Sequence, residues 1–591
     1  MNFIKYLTSK KNLSILSFFI LYVILVILLF SYADIHNPIP IFKETIVNIF
    51  NFIHPLFLLA YLIISFVFWL INYKNKQQLN CDIIFAVSAF FLILILGTIS
   101  TIDHPEDIPF YYVISYLALI SIFSFITFSK QSAQAFFLSL AIPLGLIYGL
   151  AILPWSVPDA TTHTAAVYRF SNLLLGDDAW ATRTNDADFF KKIWIKHNWS
   201  TSFRPTKKDY LNLIDYTLQN KTENFDFIES PIKNPIIECY SITSYFPLVL
   251  GMTISRLAQF DTIPLIYTAK IFLFIIYLLT LYFAIKNIPV GKYALAMIAS
   301  FPAPLMFASG FSYDGMVLIT TFSFIAGILS LQQEYTIKKL INCLFWIFLV
   351  ASVKGGGYIL LLPIVFIIPK PYRLKSSLMI FATAVLSITF FNLLLLYHKE
   401  MFQFHNADEN HLYAAFAIEQ PLSYLKMMSA AYYHYTFFLF EHMLGTNIIW
   451  PQNTDSFFVF GHMLKSGTPW VQELPNYLLI FLFFMALASG YLEKQNISSF
   501  TAKIFALIIG VAILALPIML LSFTTKDSSV ILGLQGRYYL PFLPLFVLIC
   551  QYFLNKLKRF LQFDLNKSLF LTIFASLSFT ATFSMIYAYW R

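Results

Sequence analysis

The sequence predicts an all-α, polytopic integral membrane protein, and three observations predict it. Of 591 residues, 59% are hydrophobic and only 12% charged, where soluble domains carry about 25% charged residues. Mean hydropathy is +0.71. Apolar runs long enough to cross about 30 Å of hydrocarbon as helices recur along the whole chain, separated by short loops that hold the Lys and Arg. The net charge of +9 is therefore read as positive-inside bias, not as a nucleic-acid surface. No polar stretch is long enough to form a soluble domain of ordinary size.

Taken in order, Lys5, Lys10 and Lys11 precede an apolar run over 13–32. It is too long for a signal-peptide core and lacks a small-residue cleavage site, so a retained anchor is expected. Further runs at 52–72, 83–101 and 110–128 complete a block of extra N-terminal helices, residues 1–134. The core, 135–591, opens with a run over 135–154. With the N-terminus inside, basic loops (Lys74, Lys76, Lys130) alternate with an acidic one (Asp103, Glu106, Asp107), which places 155–241 outside. That segment holds four of the nine Trp (Trp155, Trp180, Trp194, Trp199), residues that favour the membrane–water boundary, so interfacial helices are expected there.

The apolar stretch 245–260 poses a choice. Counted as a span it reverses the charge bias of the later loops; lying along or dipping into the outer leaflet, it leaves every later loop consistent. The dipping helix is the reading adopted. Spans then follow near 263–285, 293–309, 313–331, 339–353, 358–369 and 376–398. After a second external segment over 399–475 come 476–492, 501–523, 538–554 and 568–589. The total is about fifteen spans, with an external C-terminus. Gly355-Gly356-Gly357 reads as a turn at the outer rim. Of the four Cys, only Cys239 falls in an external segment, and no CxxC is present; neither a disulfide nor a Cys-based metal site is expected.

This topology gathers the polar interruptions on one face. Asp159 and His163 are four residues apart, and Pro158 suits the first turn of a helix, which would put the two on one helix face. A carboxylate beside an imidazole can transfer protons. Arg169 follows. Glu238, Tyr240 and Tyr245 precede the dipping helix. Ser312 and Asp314 lie in a turn between two spans, Lys354 at another outer turn, and Gln535, Arg537 and Tyr538 open a later span. Ionisable groups at membrane depth are costly and point to function. Singly, each has a plainer role: Asp159 as a helix-dipole partner, Asp314 as a helix cap, Lys354 and Arg537 reaching to lipid headgroups. Positive-inside bias accounts for the acidic members but not for Lys354 or Arg537. Six of the eleven His lie between His398 and His462, with Asp408 and Glu409 nearby. Without a spacing such as HExxH, no metal ligands are assigned, and a divalent ion stays a minor alternative.

Four blocks carry a resemblance. PDATTHTAAVYRFSNLLLG, from Pro158 to Gly176, is similar to the PDExxHFxRAYxxxxG signature of an uncharacterised bacterial polytopic membrane family, domain of unknown function 2142. YFPLVLGMTISRLAQF resembles its YPPLxYxPxALGxxLxRLLG stretch. PAPLMFASGFSYDG resembles its P-x-x-L-xx-x-S-x-S-x-D turn, and LQGRYYLPFLPL its QGRYFLPLLPL. EHMLGTNIIWPQ matches more weakly. That family in turn resembles the GT-C class of glycosyltransferases.

The resemblance implies a GT-C-like helical bundle in the bacterial inner membrane. Its expected donor is a polyprenyl-phosphate-linked sugar and its acceptor a glycan, lipid or protein at the outer face; no cofactor is implied. Asp159 becomes the expected catalytic base with His163 beside it, and Arg537 and, more weakly, Lys354 the expected phosphate ligands, in a substrate site with Arg169, Tyr245, Ser312, Asp314, Gln535 and Tyr538. Where the family places Glu after its Asp, this chain has Ala160, which leaves Asp159 alone. The alternatives are a transporter or flippase for lipid-linked glycans, which paired charges deep in midspan would favour but of which the sequence shows few, and a non-catalytic envelope assembly protein.

Overall fold

The computed structural model describes residues 132–151, 157, 160–190, 227–230, 236–237, 241–399, 402–403, 411–444, 469–493, 496–558 and parts of 567–582. The extra N-terminal helices, Asp159, Glu238, Tyr240, His405, Asp408, Glu409, His462 and the C-terminus lie outside the described residues.

The fold is all-α, with helices α1 (Ala133–Ala151), α2 (Ala160–Leu175), α3 (Thr184–Phe189), α4 (Ile242–Leu257), α5 (Thr262–Asn287), α6 (Lys292–Ala299), α7 (Pro302–Ser309), α8 (Asp314–Gln333), α9 (Ile337–Ser352), α10 (Lys370–Tyr397), α11 (Phe416–Glu419), α12 (Pro421–Leu444), α13 (Pro469–Ala488), α14 (Ser499–Ala515) and α15 (Leu543–Lys558). Among the described residues, six stretches are long and apolar enough to cross a membrane: Thr262–Asn287, Asp314–Gln333, Ile337–Ile367, Lys370–Tyr397, Ser499–Phe523 and Gly536–Lys556. The third is two segments. At Lys354, Gly355 and Gly356, near the start of the 3-10 segment Val353–Ile367, the backbone turns left-handed, and this segment packs against α9. This is the turn that the glycine run predicts.

Burial orders the bundle. The spanning stretch of α8 is 100% buried, that of α10 only 17%, so α8 is the axis and α10 an outer wall. Close contacts explain the small residues: a Cβ on Gly315 would stand 2.8 Å from the Phe307 carbonyl oxygen, and one on Gly251 2.8 Å from the Ala269 Cα. Both α7–α8 and α4–α5 depend on that approach.

One span differs from expectation. Residues 293–309 are two helices, α6 and α7, broken between Ala299 and Pro302. Pro302 lacks an N–H and suits the first turn of a new helix. Tyr277 of α5 donates to the Ala299 carbonyl at 2.7 Å, satisfying backbone at the break. Proline acts again in α14, which passes into a 3-10 segment, Leu516–Phe523, at Pro517. A helical Pro517 cannot donate to Ile513; instead Tyr432 of α12 donates to the Ile513 carbonyl at 2.7 Å, and Tyr424 to the Leu514 carbonyl at 2.5 Å.

Helix α4, the stretch read as dipping, has 16 residues and is about 24 Å long, short of a full crossing. It folds back on α5 and packs on α2. The two polar segments meet in a sheet. Strand β1 (Ala181–Arg183) pairs antiparallel with β2 (Phe227–Glu229), while β3 (Ile236–Ile237) from the first segment runs parallel to β4 (Phe402–Gln403) from the second.

The first segment is pinned by buried charge. Arg183 holds Asp186 through Nε at 2.7 Å and Nη2 at 3.2 Å, and Tyr168 and Thr262 donate to the same carboxylate. Burial lowers the Arg183 pKa, but Asp186 outweighs it and the net shift is upward. Arg256 of α4 reaches Ser171, Asn172 and Asp177, a fork that Lys cannot reproduce. Thus α2, α3 and α4 form one unit on the bundle.

Candidate functional site

The site forms where α2 and α4 meet the N-terminal end of α8, the α9 turn and the 3-10 segment Gly536–Phe542. Its first pair is His163 and Tyr245. His163, on the first turns of α2, has no exposed surface, and neither has Tyr245 in α4. The Tyr245 hydroxyl lies 2.8 Å from His163 Nδ1. Tyr313, just before α8, meets the imidazole edge-on with ring centroids 4.6 Å apart.

Tyr313 also borders the cationic half. The Lys354 ammonium lies 4.9 Å from the Tyr313 ring centroid and 3.9 Å from that of Tyr538, within the range of cation–π attraction. Arg537 packs on the same Tyr538 ring at 5.5 Å. Its Nη1 is 3.3 Å from Asp314 Oδ2, with both side chains nearly inaccessible. Because Asp314 follows Tyr313 directly, the contacts close a ring of Tyr313, Lys354, Tyr538, Arg537 and Asp314, with His163 set against it at Tyr313.

The backbone around Lys354 is strained. Its φ is +47°, a left-handed conformation that costs a non-glycine residue about 1–2 kcal/mol. Its neighbours hold it there: Gly355 and Gly356 continue left-handed without strain, and the Lys354 amide donates to Ser244 Oγ at 3.2 Å. Ser241 donates to the Ser352 carbonyl at 2.5 Å and Thr243 to Ser352 Oγ at 2.8 Å. The N-terminal turn of α4 thereby braces the turn that carries Lys354.

The family comparison fits the same region. Residues 144–546 match the family model described as Predicted membrane protein (DUF2142). The chain belongs to this family. No curated protein and no solved structure matches it. The matched stretch runs from within α1 into α15 and contains every candidate residue from Asp159 to Tyr538. The description specifies a membrane protein and no reaction.

Of the residues singled out in the sequence, the structure brings together His163, Tyr245, Asp314, Lys354, Arg537 and Tyr538. Ser312 is buried behind them and accepts the Asp314 amide at 3.1 Å; Gln535 is buried at the start of the Gly536–Phe542 segment. Arg169 stands apart. It is stacked on Trp180, 3.8 Å from the ring centroid, and burial pushes its guanidinium down to about 10, still protonated at neutral pH. The Trp180 ring belongs to the first polar segment. Two plainer readings are also corrected: Tyr313, not Asp314, is the N-cap of α8, and Arg537 is buried in an ion pair, not extended to headgroups.

Sequence reasoning missed Tyr313 as a partner, although it sits inside the quoted SYDG turn. It also missed Lys270, a buried lysine in the apolar run of α5 that donates to the Gly149 carbonyl at 2.6 Å. A lone charge within a span was the available signal. Among the described residues no group of three or more potential metal ligands occurs.

Beside the Lys354 turn runs a crevice of about 60 Å³ between α2, α4 and the outer wall α10. Phe170, Leu173, Ile388 and Phe391 supply apolar surface, and the lining residues Ser352 and Gly355 lie within two positions of Lys354 in the chain. Leu386, Leu393 and Leu396 of α10 are largely exposed, so the crevice lies next to the apolar outer surface.

Proposed function

We propose that this protein is a membrane glycosyltransferase that moves a sugar from a polyprenyl-phosphate donor to a glycan, lipid or protein acceptor of the cell envelope, at the external face of a bacterial inner membrane. The observation that supports this most is the convergence of two cations, the half-buried Lys354 and the buried Arg537, with the His163–Tyr245 pair around Tyr313.

In this reading the acceptor hydroxyl attacks the anomeric carbon. Its oxygen forms the new glycosidic bond while the bond from that carbon to the phosphate oxygen breaks. The phosphate leaves with the electron pair, and Lys354 and Arg537 stabilise its charge in a water-poor site. Asp159, one residue before α2, receives the hydroxyl proton. The crevice beside Gly355 takes the first part of the lipid chain, with the phosphate at the Lys354 turn.

The test is glycosyl transfer by purified protein in nanodiscs, supplied with polyprenyl-phosphate-linked sugars. Asp159→Asn should fold and bind donor yet lose roughly 10²–10⁴-fold in turnover, the scale of general-base catalysis. Full activity at unchanged stability would remove Asp159 as the base. Export of a lipid-linked glycan is the second reading, favoured by the crevice's lateral position. Lys270 does not strengthen it, because its partner is a carbonyl and not a carboxylate. Glycan movement across proteoliposomes without transfer would put that reading first.

A further inference from the structure

We infer that Tyr245 is a positioning residue that fixes His163 as the Nε2–H tautomer, so that His163 serves the site as a hydrogen-bond donor. The hydrogen bond runs between the Tyr245 hydroxyl and His163 Nδ1 at 2.8 Å, with neither side chain exposed. Only one proton lies between these two atoms. A phenol is a far stronger acid than a neutral imidazole N–H, and an unprotonated imidazole nitrogen is a better acceptor than a phenol oxygen. The stronger donor therefore faces the stronger acceptor: Tyr245 donates and Nδ1 accepts. The other ring nitrogen must then carry the hydrogen, since the tautomer follows the bond made at the first nitrogen.

The surroundings hold this arrangement. Tyr313 packs its ring against the imidazole and lies at 6.2 Å from that of Tyr245. Phe170 flanks Tyr245 at 6.1 Å. Rotating the imidazole to exchange its nitrogens would require these rings to part. His163 and Tyr245 come from separate helices, α2 and α4, which the Arg256 contacts hold together, so the pair is set by the fold.

The consequence for chemistry rests on the transfer reading. A neutral imidazole with its proton on Nε2 cannot abstract a proton through that atom. It can donate to an oxyanion, either a phosphate oxygen or a carboxylate that takes the proton. General-base work then belongs to a carboxylate, and the role of His163 is to orient or stabilise negative oxygen.

Nitrogen NMR of the full chain in nanodiscs, labelled at histidine, tests the tautomer directly, with the His163 signals identified by their loss in His163→Gln. We expect an unprotonated Nδ1 and a protonated Nε2 in the wild-type protein; the opposite assignment overturns the inference. In Tyr245→Phe the two tautomers should mix, and a spectrum unchanged from wild type would also overturn it. Should that variant not fold, the wild-type spectrum alone decides. In the transfer assay, Tyr245→Phe should lower turnover about 10–100-fold, as loss of an orienting partner does. If the tautomer is as stated and the wild type transfers no sugar, the reaction reading fails and the tautomer stands.

Discussion

Arg537 and Asp314 form a buried ion pair, Nη1 to Oδ2 at 3.3 Å, that ties the start of the Gly536–Phe542 segment to the first turn of the axial helix α8. Removing one partner strands the other charge, which costs about 3–5 kcal/mol at a buried site. Asp314→Ala should therefore lower thermal stability in detergent strongly, whereas Asp314→Ala combined with Arg537→Met should recover most of the loss. Additive losses in the double variant would show that the two side chains are not coupled.

A second prediction concerns the Pro517 break. Tyr432 donates to the Ile513 carbonyl and also meets the hydroxyl of Tyr539, next to the site residue Tyr538. Tyr432→Phe should cost about 1 kcal/mol, the net worth of a typical hydrogen bond. Pro517→Ala supplies an amide that can bond Ile513 in a regular helix, so in that background Tyr432→Phe should cost less. Equal costs in both backgrounds would place the contribution of Tyr432 entirely in its contact with Tyr539.

At the opposite end of the bundle, Glu493 accepts the amides of Gly291 and Tyr293 at 2.7 and 2.8 Å. Burial raises its carboxyl above the usual carboxylate value, opposed by those amides and Lys292. A pKa raised on folding means that the folded state binds the proton more tightly. Its contribution is full below the unfolded value and is lost as pH rises through the folded one. Stability should fall as pH climbs above the ordinary carboxylate range, and Glu493→Gln should flatten that part of the curve. An unchanged slope in pH-dependent melting would assign it to other groups.

Much of this was legible in the sequence because bilayer physics is written in composition. Apolar length marked α5, α8, α10 and α14, and Gly355-Gly356 marked the Lys354 turn. The convergence of Asp314, Lys354 and Arg537 followed from loop charge, since each interrupts an apolar run at the same end. Three things were hidden. The break in 293–309 was masked by its hydropathy, because α6 and α7 are buried in protein and stay apolar on every side. The role of Tyr313 as a shared wall was hidden too, for an aromatic in an aromatic-rich chain carries no signal until its neighbours are known. The stacking of Arg169 on Trp180 was hidden for the same reason.

Orientation gives a further test. In a chain with its four native Cys replaced by Ser, single Cys probes at Tyr413 and Gln333, both exposed, report on opposite ends of the bundle. Helix α8, 20 residues and so about 30 Å long, separates Gln333 from the site. An impermeant thiol reagent on intact cells should label Tyr413→Cys and spare Gln333→Cys. The reverse pattern would place the site inside the cell, where an external transfer reaction is impossible.

The last prediction uses the strain at Lys354. Lys354→Gly relieves a left-handed backbone worth about 1–2 kcal/mol and gives up cation–π contacts with Tyr538 and Tyr313 worth about 0.5–2 kcal/mol. The two terms nearly cancel, so its melting temperature should stay close to wild type. Lys354→Ala loses the contacts and keeps the strain, and should melt lower than Lys354→Gly. Both variants lose the ammonium, and a hydrogen bond to a charged group is worth about 1.5–3 kcal/mol, so both should bind a polyprenyl-phosphate donor roughly 10–100-fold more weakly. A glycine variant of wild-type stability that cannot hold donor would show that the strain is kept for the charge it positions. Equal donor affinity in all three proteins would make Lys354 a packing residue of the turn and leave Arg537 to carry the phosphate alone.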